Sequence, residues 1–304
     1  MIEAWGALLD WLRAVLPAEV LELMWASKTI YLTPWFWLLA GAILLVERLR
    51  PAVPTQRVFS WGLLQDFVWF NLDLVFKVMA LPVVAGLTLV VYDLLTGGYR
   101  VQLMMQWPLW LRIGVAVLAF DCLMWLLHWL RHKITVIWHF HAVHHSQREI
   151  NLFTDLRVHA VEYVFNDIVS FVPMFALGLP ALVVMGMGSA RIWYTRFIHA
   201  NIRTNLGPLK HVLVTPQYHR VHHSLDPRHH EKNFATLFTL WDRLFGTLCR
   251  DYDVYPPTGV EDIAFEVPRT FRPTAWARDY WRLFSYPFRR VLRGASTEGR
   301  DEGV

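Results

Sequence analysis

Residues 161–198, VEYVFNDIVSFVPMFALGLPALVVMGMGSARIWYTRFI, form an apolar block interrupted once, at Gly178-Leu179-Pro180. About 17 residues remain on each side of that break. A helix needs ~20 residues to cross a bilayer core, so the block reads as one crossing or as two short ones joined at a turn. The choice decides the topology. All 14 histidines of the chain lie between residues 128 and 230, on both sides of the block. One crossing would put His159 and the histidines at 219–223 on opposite faces of a membrane. If the histidines act together, 161–198 is a membrane hairpin that returns the chain to the side it left. Arg191, Arg196 and Arg203 at its far end agree, because cytoplasmic flanks carry the excess of Lys and Arg.

The rest of the chain supports a membrane setting. Of its 304 residues 55% are hydrophobic, with 16 Trp and 19 Phe, more apolar surface than a soluble domain of this length can hide. Residues 30–46 are about long enough to span and run into ERLRP, where Arg48, Arg50 and Arg57 mark a cytoplasmic loop. Residues 62–95 are also apolar, but Asp66, Asn71, Asp73 and Lys77 make their first half interfacial or bundle-facing. PLWLRIGVAVLAFDCLMWLLHWLRHK, 108–133, reads as one helix of roughly 39 Å at ~1.5 Å per residue. That exceeds the ~30 Å hydrocarbon core, so its end, with His128 and His132, projects beyond it. After residue 200 the chain is polar and punctuated by Pro, which reads as a cytoplasmic cap.

The predicted fold is all-α: a polytopic membrane helical bundle of about four to five passes or half-passes. A cytoplasmic helical cap holds a histidine-rich dimetal site. Residues 1–106 are N-terminal membrane helices. Residues 107–250 form a core that carries the patterned histidines and includes the hairpin 161–198. Residues 251–304 are a cytoplasmic C-terminal tail, with 294–304 disordered. Residues 1–25 lack a basic start and carry Asp10, Glu19 and Glu22, which does not suit a cleavable signal peptide. Cys122 and Cys249 are too few for a disulfide framework or a cysteine-ligated cluster. The formal charge of +4 reads as membrane sidedness, and no nucleic-acid partner is expected.

The histidines are patterned. His128 and His132 stand four apart; His141, His144 and His145 stand at i, i+3, i+4, and so do His219, His222 and His223. Such spacings share a helix face, so each triplet can aim its imidazoles at one point. Neutral imidazole suits iron, zinc, copper or nickel. A tetrahedral zinc takes about four ligands, so eight histidines suit two metals held close together, each with about four or five nitrogens. Metal-bound imidazoles usually donate their other N–H to an acceptor. His139, Asp155, Arg157, Glu162, Asn201, Asn233 and Asp242 are candidates for that supporting role, with packing as the alternative for His139 and a salt-bridged turn for Asp242.

HWLRH, WHFHAVHHS, RVHAVE, FIHANI, TPQYHRVHHS and NFATLFTLWDRLFGT, in this order between Trp107 and Thr247, together resemble the fatty acid hydroxylase / sterol desaturase superfamily of membrane diiron oxygenases. The resemblance implies that His128, His132, His141, His144, His145, His219, His222 and His223 ligate two iron ions on the cytoplasmic side. By position it adds His199, in HAN after the hairpin. His159, in R-V-H-A-V-E where many bacterial members have Pro at the position of Ala160, is a ligand candidate or a neighbour of the ligands. Ala235 stands where relatives usually have Gly.

The resemblance further implies an integral membrane enzyme, placed in a bacterial inner membrane with the histidine boxes on the cytoplasmic side. It would use O2 as co-substrate to hydroxylate or desaturate C–H bonds of a membrane lipid: sterol or hopanoid, fatty acyl, carotenoid or ether lipid. Electrons would come from an external donor, a ferredoxin, cytochrome or reductase. Zinc lies above iron(II) in the affinity order, so zinc is a possible occupant after purification. Trp107, Trp110, Trp125, Trp129 and Trp138 are candidates to line a lipid passage or to anchor at the interface. A histidine-lined metal transporter or zinc-binding membrane protein is the alternative. Transporters place ligands near the bilayer midplane, whereas these boxes sit just outside the apolar runs. A zinc hydrolase would need a motif such as His-Glu-x-x-His, which is absent.

Overall fold

Apolar runs become helices here, and Pro, Gly and short polar clusters end them. The computed structural model describes residues 32–72, 106–163, 179–261 and 265–298, with positions 86, 87, 90, 94 and 166. The α-helices are α1 (Pro34–Leu49), α2 (Leu109–Lys133), α3 (Thr135–His145), α4 (Ala181–His199), α5 (Pro216–His222), α6 (Leu240–Leu244) and α7 (Pro273–Glu298). Residues 61–72 are helical as well. Among the described residues there are only isolated β-bridges, such as Pro51 with Ile202, and no strand, as an all-α fold requires.

One described helix, α2, is long and apolar enough to cross a membrane by length and composition. Its 25 residues span about 37 Å at ~1.5 Å per residue. α4 is the second limb expected of the hairpin. Most of the first limb and Gly178 lie outside the described residues, as do most of 73–105 and residues 1–31. Contrary to the expected disorder from residue 294, α7 continues to Glu298; residues 299–304 lie outside the described set.

The chain divides into two compact units that interleave in sequence. One comprises 1–40, 72–123 and 160–194; the other comprises 41–71, 124–159 and 195–304. This grouping cuts across the sequence divisions at 106 and 250, because long-range packing ignores chain order. In the first unit, Phe36 packs on Trp193 at 5.2 Å between ring centroids, and Arg191 lies over Phe120.

The second unit holds every histidine. Its core includes Trp69, Ala142, Val143, Phe265, Leu283 and Tyr286. Trp69 Nε1 donates to Val158 O at 3.1 Å, tying helical residues 61–72 to the segment after α3. Leu283 and Tyr286 place α7 against α3, the helix that carries HAVHH.

Glu47, beyond the apolar run of α1, is buried in this unit and accepts the Asn201 N–H at 2.9 Å. The Leu152 N–H also bonds it, but burial dominates and raises its carboxyl from 4.5 to about 7. A carboxyl raised on folding binds its proton more tightly in the folded state. Its contribution is therefore most favourable below about pH 4.5 and declines as pH rises through about 7. Glu47→Gln should flatten the fall of the thermal midpoint across that window; a slope equal to the parent's would refute this.

Candidate metal centre

A single extended residue sets the first part of the site. α2 ends at Lys133, Ile134 adopts φ −100 and ψ 108, and α3 begins at Thr135. Backbone bonds run through the bend, from Ile134 N to Leu130 O and from Trp138 N to Ile134 O. His128 and His132 on one side of the bend thereby face His141 and His145 on the other, with His128 and His141 rings 5.0 Å apart. The second box is started by a cap. Thr215 Oγ1 accepts the Tyr218 N–H at 3.1 Å and Pro216 opens α5, which carries His219 and His222, with His223 capping its end.

Nine imidazoles converge in two groups. His128, His132, His141, His145 and His222 form one; His144, His199, His219 and His223 form the other. Within each, the candidate ligand atoms lie within 4.8 Å of one another. Neither triplet aims at a single point. His141 and His145 go to the group of five while His144 goes to the group of four; His219 and His223 go to the four while His222 goes to the five. Helix geometry explains the split. At ~100° per residue, i and i+4 differ by ~40° in direction, whereas the adjacent histidines differ by ~100°. The groups adjoin, since the His145 and His223 rings stack 4.3 Å apart.

The nitrogens suit metal ions. His199 Nε2 lies 3.2 Å from His144 Nε2 and 2.9 Å from His219 Nε2; His145 Nε2 lies 3.1 Å from both His132 Nε2 and His222 Nε2. Two imidazoles bound at ~2.1 Å in tetrahedral or right-angled geometry stand ~3.0–3.4 Å apart. Tautomers sharpen the point. His128 Nδ1 bonds Phe234 O at 2.8 Å, His222 Nδ1 bonds Lys232 O at 2.8 Å, and His199 Nδ1 bonds Thr195 O at 2.7 Å. A carbonyl only accepts, so each Nδ1 carries the hydrogen and each Nε2 offers a lone pair. His128 Nε2 is buried with no hydrogen-bond partner. Burial also holds His141, His144, His145, His219 and His223 well below the ordinary imidazole range, and His222 at about 4. Neutral imidazoles with lone pairs converging are what a metal ion requires.

His159 is the correction. It is buried outside both groups, with Nε2 3.0 Å from Phe284 O and its ring against Phe140 and Phe284 at 5.0 Å each. Its aromatic surroundings make it part of the packing with α7. His139 is half-buried and edge-on to Tyr286.

Of the other polar candidates, Asp242, Asn233 and Asn201 brace the backbone near the histidines. Asp242 accepts Trp125 Nε1 at 2.9 Å, Phe234 N at 3.0 Å and Ala235 N at 2.7 Å, together with the hydroxyls of Tyr218 and Thr247. It therefore fixes the peptide whose carbonyl holds His128. Asn233, with φ 62, takes the left-handed conformation its short side chain tolerates and donates to Tyr218 O. Asn201 Oδ1 accepts Val53 N and Arg220 Nη1. Asp155 lies 3.7 Å from buried Arg196, which is thus not an exposed marker of sidedness. Glu162 is buried in the first unit. Trp125 belongs to this bracing and stacks on Phe245 at 4.4 Å, while Trp110 is largely exposed.

Sequence reasoning missed the loop 231–234. It presents Lys232 O and Phe234 O to two imidazoles of the same group, and positive φ at Glu231 and Asn233 makes that possible. Asn233 was the only hint.

Residues 113–247 match the fatty acid hydroxylase family. Alkylglycerol monooxygenase of Danio rerio is 33% identical over 182 residues, 58% of this chain and 39% of that protein. Ornithine lipid hydroxylase OlsE of Rhizobium tropici is 28% identical over 142 residues, 47% of this chain and 43% of its own. Alkylglycerol monooxygenase of Homo sapiens is 35% identical over 120 residues, 40% and 26% respectively. The chain thus spans less than half the length of these relatives. No solved structure matches it significantly.

Proposed function

Residues 113–247 belong to the fatty acid hydroxylase family, and on that premise we propose that the protein is a membrane-bound, O2-dependent hydroxylase of a lipid C–H bond. The observation that carries the reading is the pair of adjoining imidazole groups, five and four, held neutral by burial. Two iron ions would be held there, one by His128, His132, His141, His145 and His222, the other by His144, His199, His219 and His223. The chemistry that iron supplies when bound is reductive activation of dioxygen. One oxygen atom enters the C–H bond, and the other leaves as water once an external donor has delivered two electrons and two protons are taken up.

The chain's own residues hold this chemistry in place. The nine imidazoles contribute no negative charge, so the ions keep their full positive charge. Backbone carbonyls of Phe234, Lys232 and Thr195 fix the ring tautomers, and the buried setting keeps bulk water away. The relatives' names favour hydroxylation over desaturation, and ether lipids or other lipids bearing a polar headgroup over carotenoids. The proposed setting is the bacterial inner membrane, with four to five passes and the histidines on the cytoplasmic side.

The test is anaerobic loading of the full chain with iron, addition of a reductase and ferredoxin, and exposure of membrane lipids to 18O2. A lipid gaining one labelled oxygen only with the protein is expected. Intact iron with no labelled lipid would sink the oxygenase reading.

A further inference from the structure

We propose that α7 is an interfacial helix whose outer face rests on anionic lipid headgroups. The inference does not depend on the oxygenase reading. α7 is amphipathic in two senses. Leu283 and Tyr286 are buried in the core beside α3, yet Trp281, Phe288 and Leu292 are 65%, 42% and 71% exposed. At ~100° per residue, Trp281, Phe288 and Leu292 fall within ~40° of one another, a single apolar stripe broken only by Ser285, whose hydroxyl donates to Trp281 O. Arg278, Arg289 and Arg293, all exposed, lie along one flank of that stripe.

The acidic counterpart has been removed from this face. Between residues 273 and 298 there are five arginines and two carboxylates. One of those, Asp279, is only 4% exposed. It points inward, accepting Gln65 Nε2 at 2.7 Å and pairing with Arg282 at 2.7 Å. The exposed face from Arg278 to Arg293 therefore carries positive charge beside aromatic and aliphatic side chains. A helix of this pattern lies in the plane of a bilayer surface, its apolar stripe below the headgroups and its arginines among the phosphates. Charge complementarity selects anionic lipid over zwitterionic lipid or a neutral protein surface.

The test uses the full chain in nanodiscs of phosphatidylcholine, alone or mixed with phosphatidylglycerol. Phe288→Cys in a Cys122→Ser/Cys249→Ser background carries a fluorophore, and quenching by brominated acyl chains reports insertion. Arg290→Cys, roughly opposite the stripe on the helix, is the control position. Quenching at 288 but not at 290, stronger with phosphatidylglycerol and weakened by salt, is expected. Removing Arg278, Arg289 and Arg293 in turn by substitution with Gln should lower the docking constant about fivefold per residue at low salt. Trp281→Ala/Leu292→Ala should abolish quenching in both lipids, with helicity retained by circular dichroism. Equal quenching at both positions, indifference to lipid charge, or quenching that follows protein density, as contact with a second copy would, overturns the proposal.

Discussion

His223→Ala is expected to leave about one metal ion per chain, whereas His222→Ala should retain closer to two. The two residues are neighbours in one motif but belong to different groups. His223 is one of four, and its loss leaves three imidazoles; His222 is one of five, and its loss leaves four, the number a tetrahedral imidazole site needs. Removing a partner that only supports a ligand already costs 10–100-fold in affinity, so loss of a ligand from the smaller group should exceed about 100-fold. Turnover of His223→Ala should fall below about 1% of the parent by the same reasoning. The decisive comparison uses the other box: His144→Ala should resemble His223→Ala, and His141→Ala should resemble His222→Ala. Metal analysis after dialysis, with turnover on the identified lipid, reads the pattern. If the losses follow the box, with His141→Ala and His144→Ala alike, the partition is wrong.

That partition was half legible in the sequence. The spacing of His141, His144 and His145 announces ligands, because i, i+3 and i+4 share a helix face. What the letters do not say is that the ~100° between adjacent residues sends His144 and His145 to different places once a second helix offers two destinations. His199 was identified by resemblance alone, since a lone histidine after an apolar helix has no spacing to read. His159 was a candidate through the resemblance of RVHAVE to the family pattern, a likeness of letters that does not show the Phe140, Phe284 and Phe288 rings around it. Two of those phenylalanines come from α7, more than a hundred residues away in sequence. The carbonyls that orient His128, His199 and His222 were unreadable for a simpler reason: every residue has one, and only the fold chooses which faces an imidazole. The helical class followed from apolar runs and their punctuation. The interleaving of 41–71 with 124–159 did not, since it depends on buried polar pairings such as Asp66 with Arg157.

Removal of the Arg157 guanidinium is the second large effect expected. Arg157 is fully buried. Its Nε donates to Val143 O and Ser146 Oγ at 3.0 Å each, its Nη2 to Ser146 Oγ at 2.9 Å, and its Nη1 to Gln65 Oε1 at 2.8 Å and Asp66 Oδ1 at 3.1 Å. Val143 and Ser146 bracket His144 and His145, so one guanidinium holds the end of α3 where two candidate ligands leave for different groups. A cation there also suits the unsatisfied carbonyls of a helix C-terminus. Asp66 is tied in turn by Gln147 Nε2, Asn151 Nδ2 and Thr154 Oγ1, each at 2.8 Å. Arg157→Met keeps the length and removes the charge, leaving the Asp66 carboxylate buried without its cation. Breaking one side of such a pair costs ~3–5 kcal/mol, a fall of roughly 10 °C in thermal midpoint for a chain of this size. Asp66→Asn in the same background removes the stranded charge and should recover part of that loss, so the double variant should be more stable than the two single losses add up to. Metal content separates support from bulk stability: at a temperature where all variants are folded, Arg157→Met should still bind metal about 10–100-fold more weakly, and the double variant should not recover this. Strict additivity of the stability losses would show that Arg157 and Asp66 are not coupled, and parent-like metal affinity would show that the end of α3 needs no guanidinium to present His144 and His145.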